Sequence, residues 1–166
     1  MDLHTTIDID APPETVWRVL TAFEQYDLWN PFMSVAGRPT VGARLAVELR
    51  PPGKRPATFR PTVTVADTGR ELRWVGHLGV RGLYDGEHRF VLKPLAGGRR
   101  TRLVHAERFS GVLAGLVNRW LGDATERGFR AMNEALQTRA EVLAAAESAT
   151  ATDAGVDSTG DGHAAA

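Results

Sequence analysis

The chain has 166 residues, of which 43% are hydrophobic and 24% charged, which is enough for one domain with a sizeable core. Its 20 basic and 20 acidic residues give no formal net charge, so whole-chain electrostatics favour neither nucleic acid nor an anionic membrane surface. Cysteine is absent, which excludes disulfides, thiolate catalysis and cysteine-bound metal. No N-terminal apolar run is long enough for a signal peptide or a membrane span. We therefore expect a cytoplasmic protein with no integral membrane association and no nucleic-acid partner.

The first part of the chain predicts a strand followed directly by a short helix. Ile7 and Ile9 alternate with polar residues, as in a strand with one covered face. Pro12-Pro13 ends that strand because proline has no backbone N–H, and proline also suits a first helical turn. Apolar residues then recur at helical spacing as far as Phe23, so the predicted helix has one buried side.

Six further runs alternate like strands, and short connections rich in Gly and Pro join them. Neighbouring runs should pair antiparallel, and with the first strand they make about seven. The runs cover residues 33–37, 43–50, 58–66, 71–78, 87–95 and 100–109. An apolar-striped helix over roughly 113–145 follows, and at ~1.5 Å per residue it is long enough to lie across a curved sheet.

The end of the chain differs in composition from the rest. From Glu147 onward it contains one Val and no aromatic residue, so it cannot bury enough surface to offset the entropy of ordering. The sequence therefore predicts one domain over residues 1–146 and a disordered tail over 147–166.

Two glycine-containing turns predict which strand residues face inward. A turn at Gly97-Gly98 pairs Phe90 with His105 and His88 with Glu107, on one face with other apolar side chains. The pairs predicted by a turn at Thr68-Gly69 are Val65 with Leu72, Val63 with Trp74, Pro61 with Gly76, and Phe59 with Leu78. Both hairpins thus present apolar inner faces, interrupted by two histidines and one glutamate.

Several segments resemble the START-like, helix-grip superfamily, often labelled SRPBCC, in its polyketide cyclase/dehydrase and lipid-transport branch. They are Ile7–Leu20 with its Ala-Pro-Pro-Glu, Trp29-Asn-Pro-Phe32, Tyr84–Phe90, Thr101–Gly111 and Gly128–Glu134. The resemblance implies an α+β helix-grip fold of order β-α-α-β-β-β-β-β-β-α, with a curved antiparallel sheet around a long C-terminal helix and an internal cavity. The superfamily includes lipid carriers, cyclases, co-chaperones and hormone receptors, so the fold implies no single activity.

His88, His105 and Glu107 are the ionisable residues expected inside. Burying an unpaired polar group costs about 1–3 kcal/mol, so these groups should bond to one another, hold water or meet a ligand. They are thus a structural pair, the polar end of a ligand pocket, or a facial metal site of two histidines and a carboxylate. The His-x4-His spacing of Rieske oxygenases is missing, and we expect neither a metal nor a cofactor.

The sequence favours binding of a small hydrophobic molecule, such as a lipid or polyketide, in a cavity between the sheet and the C-terminal helix of a monomer or homodimer. The predicted ligand-binding residues are Trp29, Phe59, Val63, Trp74, Gly76, Leu78, His88, Phe90, His105, Glu107 and Trp120. An alternative is a polyketide cyclase or dehydratase in which His88 or His105 acts as a base beside Glu107. Another is a co-chaperone-like interaction protein, which predicts an exposed apolar patch and no appreciable cavity. Gly53-Lys54-Arg55, between prolines, is interpreted as solvated surface.

Overall fold

The structure, a computed structural model, describes residues 2–77, 81–83 and 85–156, with side chains except those of 116–122 and 152–156. The strands of this part are β1 (Asp2–Ile9), β2 (Met33–Ala36), β3 (Ala46–Leu49), β4 (Ala57–Phe59), β5 (Thr62–Asp67), β6 (Glu71–His77), β7 (Asp85–Leu95) and β8 (Arg100–Ser110). The helices are α1 (Pro13–Thr21), α2 (Tyr26–Trp29) and α3 (Ala114–Val156), with short 3-10 segments at Phe23–Gln25 and Ala96–Gly98. None of the described helices is both long enough and apolar enough to cross a membrane.

The described strands form two antiparallel sheets with α3 packed against them, which is the helix-grip arrangement. One sheet has the order β1-β8-β7-β6-β5 and the other β2-β3-β4. Backbone bonds join them where the chain enters β3 and β5: Leu45 N–H donates to the Pro61 carbonyl at 2.8 Å, and Val63 N–H to that of Ala43 at 2.9 Å. The two sheets therefore meet at a corner and enclose a concave space.

The predicted single strand over 58–66 is wrong in one respect. It is two strands, β4 and β5, separated by Arg60 and Pro61, and each belongs to a different sheet. Pro61 has no N–H to continue a ladder, so the chain changes sheets there. The described part consequently has eight strands where the sequence predicted about seven.

The register of β7 against β8 is as predicted. His88 pairs with Glu107 and Phe90 with His105. The turn is wider than the expected two residues, because Ala96 (φ 50°), Gly97 (φ 67°) and Gly98 (φ 86°) all lie in the left-handed region. The register is unchanged because the loop is longer by one residue on each side, Ala96 and Arg99, so the strand pairs are not shifted.

The register of β5 against β6 is only partly as predicted. Val63 does pair with Trp74, but a bulge between Val63 and Val65 places Arg73 opposite Val65, so the predicted Val65–Leu72 pair is wrong. A bulge adds one unpaired residue to a strand and shifts every later pair by one. Phe59 pairs with Val47 of β3, and its predicted pair with Leu78 lies outside the described residues.

Helix α3 contributes one apolar face to the core. Its buried residues among those with described side chains are Ala114, Ala124, Gly128, Phe129, Met132, Asn133, Leu136 and Ala140. The helix approaches the chain before β2 closely: a Cβ on Gly128 would overlap the Phe32 ring, which is itself 1% exposed. Gly128 therefore sets the distance between α3 and the β2 end of the domain.

Helix α3 also extends beyond the predicted domain boundary. Residues 147–156, predicted as disordered, are helical, and 157–166 lie outside the described residues. The segment is rich in Ala, which is the best helix former although it buries little surface, so a lack of large apolar side chains does not exclude a helix. The Glu147 carboxylate forms an ion pair with Arg18 and accepts a hydrogen bond from Thr15 Oγ1 at 3.0 Å.

Candidate ligand-binding site

A cavity of about 510 Å³ lies between the inner faces of the two sheets. The three-stranded sheet supplies Met33, Val47, Leu49, Ala57 and Phe59, and the other sheet supplies Trp74, Gly76, His77, Gly86, His88, Glu107 and Phe109. Thr125 of α3 also lines it, as do Pro51, Gly53, Lys54, Arg55 and Pro61 from the connections around β4. The walls are mainly apolar, and the polar end is formed by His88 and Glu107.

Two glycines leave room at that polar end. Gly76 and Gly86 are directly opposite each other on β6 and β7. A Cβ on Gly86 would lie 2.6 Å from Glu107 Oε1, and one on Gly76 would lie 3.2 Å from the Pro61 Cβ. A side chain at Gly86 would thus displace the Glu107 carboxylate from its place at the polar end.

A chain of hydrogen bonds runs from the cavity wall into the core. The Glu107 carboxylate bonds to His88 Nδ1, and His88 Nε2 lies 2.8 Å from His105 Nε2. His105 Nδ1 lies 2.8 Å from Asn133 Oδ1, and Asn133 Nδ2 donates to Thr5 Oγ1 at 2.9 Å. Strands β7 and β8 place the first three groups opposite or diagonal to one another, while α3 and β1 supply Asn133 and Thr5.

His105 is the most deeply buried member of this chain. It is fully buried, and its ring stacks on Phe129 with centroids 3.7 Å apart and on Phe90 at 4.4 Å. Burial, and secondarily the neighbouring His88, hold the pKa of His105 well below its usual range, while its bond to Asn133 opposes that shift. His105 is therefore uncharged at neutral pH.

His88 and Glu107 are the members that reach the cavity. Trp74 stacks nearly parallel to the His88 ring, with centroids 4.9 Å apart, and both line the cavity. The Glu107 side chain is 13% exposed and the His88 side chain 4% exposed. A ligand would therefore meet the Glu107 carboxylate, the edge of His88 and the Trp74 indole.

The structure separates the predicted ligand-binding residues into three groups. Phe59, Trp74, Gly76, His88 and Glu107 line the cavity. Val63, Phe90 and His105 are buried behind the cavity wall. Trp29 does not line the cavity and packs on Tyr26, with ring centroids 4.9 Å apart. Leu78 and the Trp120 side chain lie outside the described residues. Val63, Phe90 and His105 were predicted from the inward faces of their strands, which do not distinguish a cavity wall from the core behind it.

Two features of the site were missed or misinterpreted in the sequence. Asn133 follows Phe129 by four residues and precedes Leu136 by three, so its helical spacing already placed it on the buried face of α3. Lys54 and Arg55 were interpreted as solvated surface, and Arg55 is exposed, but the sequence did not show that both also line the mouth of the cavity. The β3–β4 loop folds back over the concave side, which composition alone does not indicate.

The three ionisable groups do not converge on one point as metal ligands would. Both His88 ring nitrogens are engaged, one with Glu107 and one with His105. Within the described residues there is no cluster of three or more His, Asp or Glu side chains suited to a metal ion. These groups therefore form a linear hydrogen-bonded chain.

The sequence matches the family described as polyketide cyclase/dehydrase and lipid transport over residues 1–141. The chain belongs to this family. No curated protein matches the sequence. The cavity, the two sheets and the long helix are thus features of a polyketide cyclase/dehydrase family member.

Solved structures share the fold of this family member at low sequence identity. The ZhuI aromatase/cyclase from Streptomyces sp. R1128 is 20% identical, with a TM-score of 0.68 over 85% of this chain and 93% of that one. A START superfamily protein from Mycobacterium smegmatis is 21% identical, with a TM-score of 0.65 over 86% and 98%. These similarities establish the START-like fold.

Proposed function

We propose that this protein binds a small, largely apolar molecule in the cavity between its two sheets. The observation that carries the proposal is a cavity of about 510 Å³ with mainly apolar walls and one polar end at Glu107 and His88. Ligand sites are typically clefts of this size, in which a few polar groups orient a mostly apolar ligand. The family, whose description names both cyclases and lipid transport, supports the same proposal.

Affinity and orientation would come from different parts of this site. A ligand that buries roughly 300 Å² of apolar surface gains about 7 kcal/mol before the costs of association, at ~25 cal/mol per Å². Trp74, Phe59 and Met33 offer such surface. Glu107 and His88 would fix which end of the ligand enters first.

A cyclase or dehydratase is the second candidate, because a histidine paired with a carboxylate stands at the cavity wall. Both ring nitrogens of His88 are engaged, so His88 would move a proton on a bound ligand only through the Glu107 carboxylate, which faces the cavity. His105 is buried behind it and would act only through His88. The solved neighbour named as an aromatase/cyclase is consistent with this candidate.

The co-chaperone-like alternative receives less support. It predicted a protein without an appreciable cavity, whereas the described residues enclose one. A cytoplasmic location and a monomeric or homodimeric state remain predictions.

The proposal is tested by native mass spectrometry of the protein purified from its own host, followed by extraction of any bound molecule. We expect a bound apolar molecule that is lost in Ala57→Trp, which fills the cavity from β4. Thr58→Trp is the matched control, because Thr58 alternates with the lining residues Ala57 and Phe59 and does not itself line the cavity. A molecule retained equally by both variants would contradict the proposed site. Turnover lost in His88→Gln with affinity retained would identify the cyclase candidate.

A further inference from the structure

The buried hydrogen-bond chain has a direction, because it ends on a group that only accepts. Thr5 Oγ1 donates to the His105 backbone carbonyl at 3.2 Å, and its lone pairs accept from Asn133 Nδ2 at 2.9 Å. Because the amide nitrogen of Asn133 donates to Thr5, the amide oxygen Oδ1, which only accepts, faces His105. Thr5, Asn133 and His105 are 4%, 3% and 0% exposed, so bulk water does not supply alternative partners.

This direction fixes the proton on His105. Nδ1 must carry the hydrogen, because it faces the Asn133 oxygen at 2.8 Å. His105 is neutral, so its Nε2 then has a lone pair and no hydrogen. The facing His88 Nε2, 2.8 Å away, must therefore be the donor of the bond between the two rings.

The consequence reaches the cavity. With a hydrogen on His88 Nε2, the contact between His88 Nδ1 and Glu107 also requires one, either on the imidazole or on the carboxyl. The pair is then an imidazolium with a carboxylate, or a neutral imidazole with a carboxylic acid. Its total charge is zero in both cases.

We propose that Asn133 and Thr5 are positioning residues that hold the His105 proton on Nδ1 and thereby keep one proton on the His88–Glu107 pair. The polar end of the cavity is then uncharged overall. The opposite amide orientation gives the opposite result: Asn133 Nδ2 donates to His105 Nδ1, His105 donates through Nε2, and Glu107 is a lone carboxylate beside a neutral His88. The two arrangements differ by one proton and by which Nε2 carries hydrogen.

The charge at the cavity end determines the class of ligand, a step that rests on the proposed function. A lone buried carboxylate would favour an amphiphile with an ammonium group. An uncharged pair favours a neutral molecule with a hydroxyl group that donates to Glu107, because a cation would be desolvated without a net counter-charge. We infer that the ligand is an uncharged, hydroxyl-bearing apolar molecule.

The proton positions are measured directly by NMR of the ligand-free protein labelled with ¹⁵N-histidine. Long-range ¹H–¹⁵N correlations distinguish protonated from bare ring nitrogens, and a contact with Trp74, which stacks on His88, assigns the two rings. We expect a bare Nε2 on His105 and a protonated Nε2 on His88. A protonated Nε2 on His105 with a bare one on His88 would overturn the proposal.

Variants separate positioning from packing. Thr5→Val keeps the side-chain shape but removes the group that orients Asn133, and Asn133→Leu removes the acceptor itself. Both should move the His105 hydrogen to Nε2 and remove the one on His88 Nε2. Thr101→Val is the matched control. The buried Thr101 hydroxyl donates to the Ala11 carbonyl at 2.7 Å and takes no part in the hydrogen bonds that link Thr5 to Glu107. An unchanged proton pattern in Thr5→Val would show that Thr5 has no positioning role.

The ligand class is tested with two probes of the same shape, 2-naphthylmethanol and 2-naphthylmethylamine, titrated calorimetrically. We expect the alcohol to bind the wild-type protein on the order of tenfold more tightly at pH 7. Lys54 and Arg55 at the mouth also disfavour the ammonium group, in wild type and variant alike. The preference of each protein is therefore measured as its affinity for the alcohol divided by its affinity for the amine. The decisive quantity is the preference of the wild type divided by that of Thr5→Val. We expect this ratio to exceed one, and a ratio of one would contradict the inference. If neither probe binds, the ligand-binding function fails while the NMR result still decides the proton positions.

Discussion

At the scale of single residues, the site depends on polar groups that satisfy one another inside an apolar wall. Glu107 reaches the cavity, His88 connects it to His105, and Asn133 completes the chain from the opposite side of the core. Two of these contacts follow from strand register, which the Gly97-Gly98 turn allowed us to predict. The contact with Asn133 joins residues 28 positions apart on different elements, so no local pattern specifies it.

The lowered pKa of His105 predicts a pH-dependent stability. Below its ordinary pKa of 6.5 the unfolded chain binds a proton that the folded protein does not, so stability is retained above about pH 6.5 and falls as the pH drops. Between pH 6.5 and 5 this single proton can remove at most about 2 kcal/mol from the free energy of unfolding. Urea denaturation at several pH values measures the effect.

His105→Gln is the comparison for that experiment. The variant lacks the titrating ring, so its stability should fall less steeply over the same pH range, whatever its stability at pH 7. Parallel curves for the two proteins would show that His105 takes up its proton equally in the folded and unfolded states.

At the scale of secondary-structure elements, two features decide where the cavity forms. Pro61 divides β4 from β5 and sends the chain from one sheet to the other. The absent side chain of Gly128 lets α3 approach Phe32, whose ring also meets Phe129 edge to face at 5.6 Å. The sequence analysis placed Pro61 in a strand and Gly128 in the last helix, but their roles depend on partners that only the tertiary structure brings together.

Gly128→Ala should destabilise the protein even though alanine favours a helix. The new methyl group would displace the buried Phe32 ring, and such overpacking typically costs about 1–3 kcal/mol. Gly115→Ala is the matched control in the same helix, because no atom of the described residues lies within 4 Å of its added Cβ. That change should stabilise the protein by up to about 1 kcal/mol. Thermal denaturation of both variants tests the difference, and equal shifts in Tm would contradict the close contact at Gly128.

The junction of α1 with the end of α3 gives a second prediction at this scale. Glu147 bonds to Arg18 and Thr15 of α1, so removing the chain from residue 146 onward should lower Tm. Removing only residues 157–166 is the control and should leave Tm unchanged. An equal Tm for both truncated proteins would show that the 146–156 segment does not stabilise the domain.

At the scale of the whole molecule, the fold was predictable because several signals agree. The strand–Pro-Pro–helix opening, the alternating runs and the long striped helix all require a sheet covered by a helix. The position of the cavity was not: we expected it between the sheet and the C-terminal helix, whereas it lies between two sheets, because the chain changes sheets at Pro61 and the β3–β4 connection lines the cavity. Alternation predicts which face of a strand is buried, but not whether atoms or space lie beyond it.

The central claim is that an apolar molecule binds between the two sheets. The most direct measurement is titration with N-phenyl-1-naphthylamine, a neutral probe whose fluorescence rises in apolar surroundings, against wild type, Ala57→Trp and Thr58→Trp. We expect saturable binding to wild type and Thr58→Trp, and at least tenfold weaker binding, about 1.4 kcal/mol, to Ala57→Trp. Equal affinity of all three folded proteins, or no saturable binding to any, would contradict the claim.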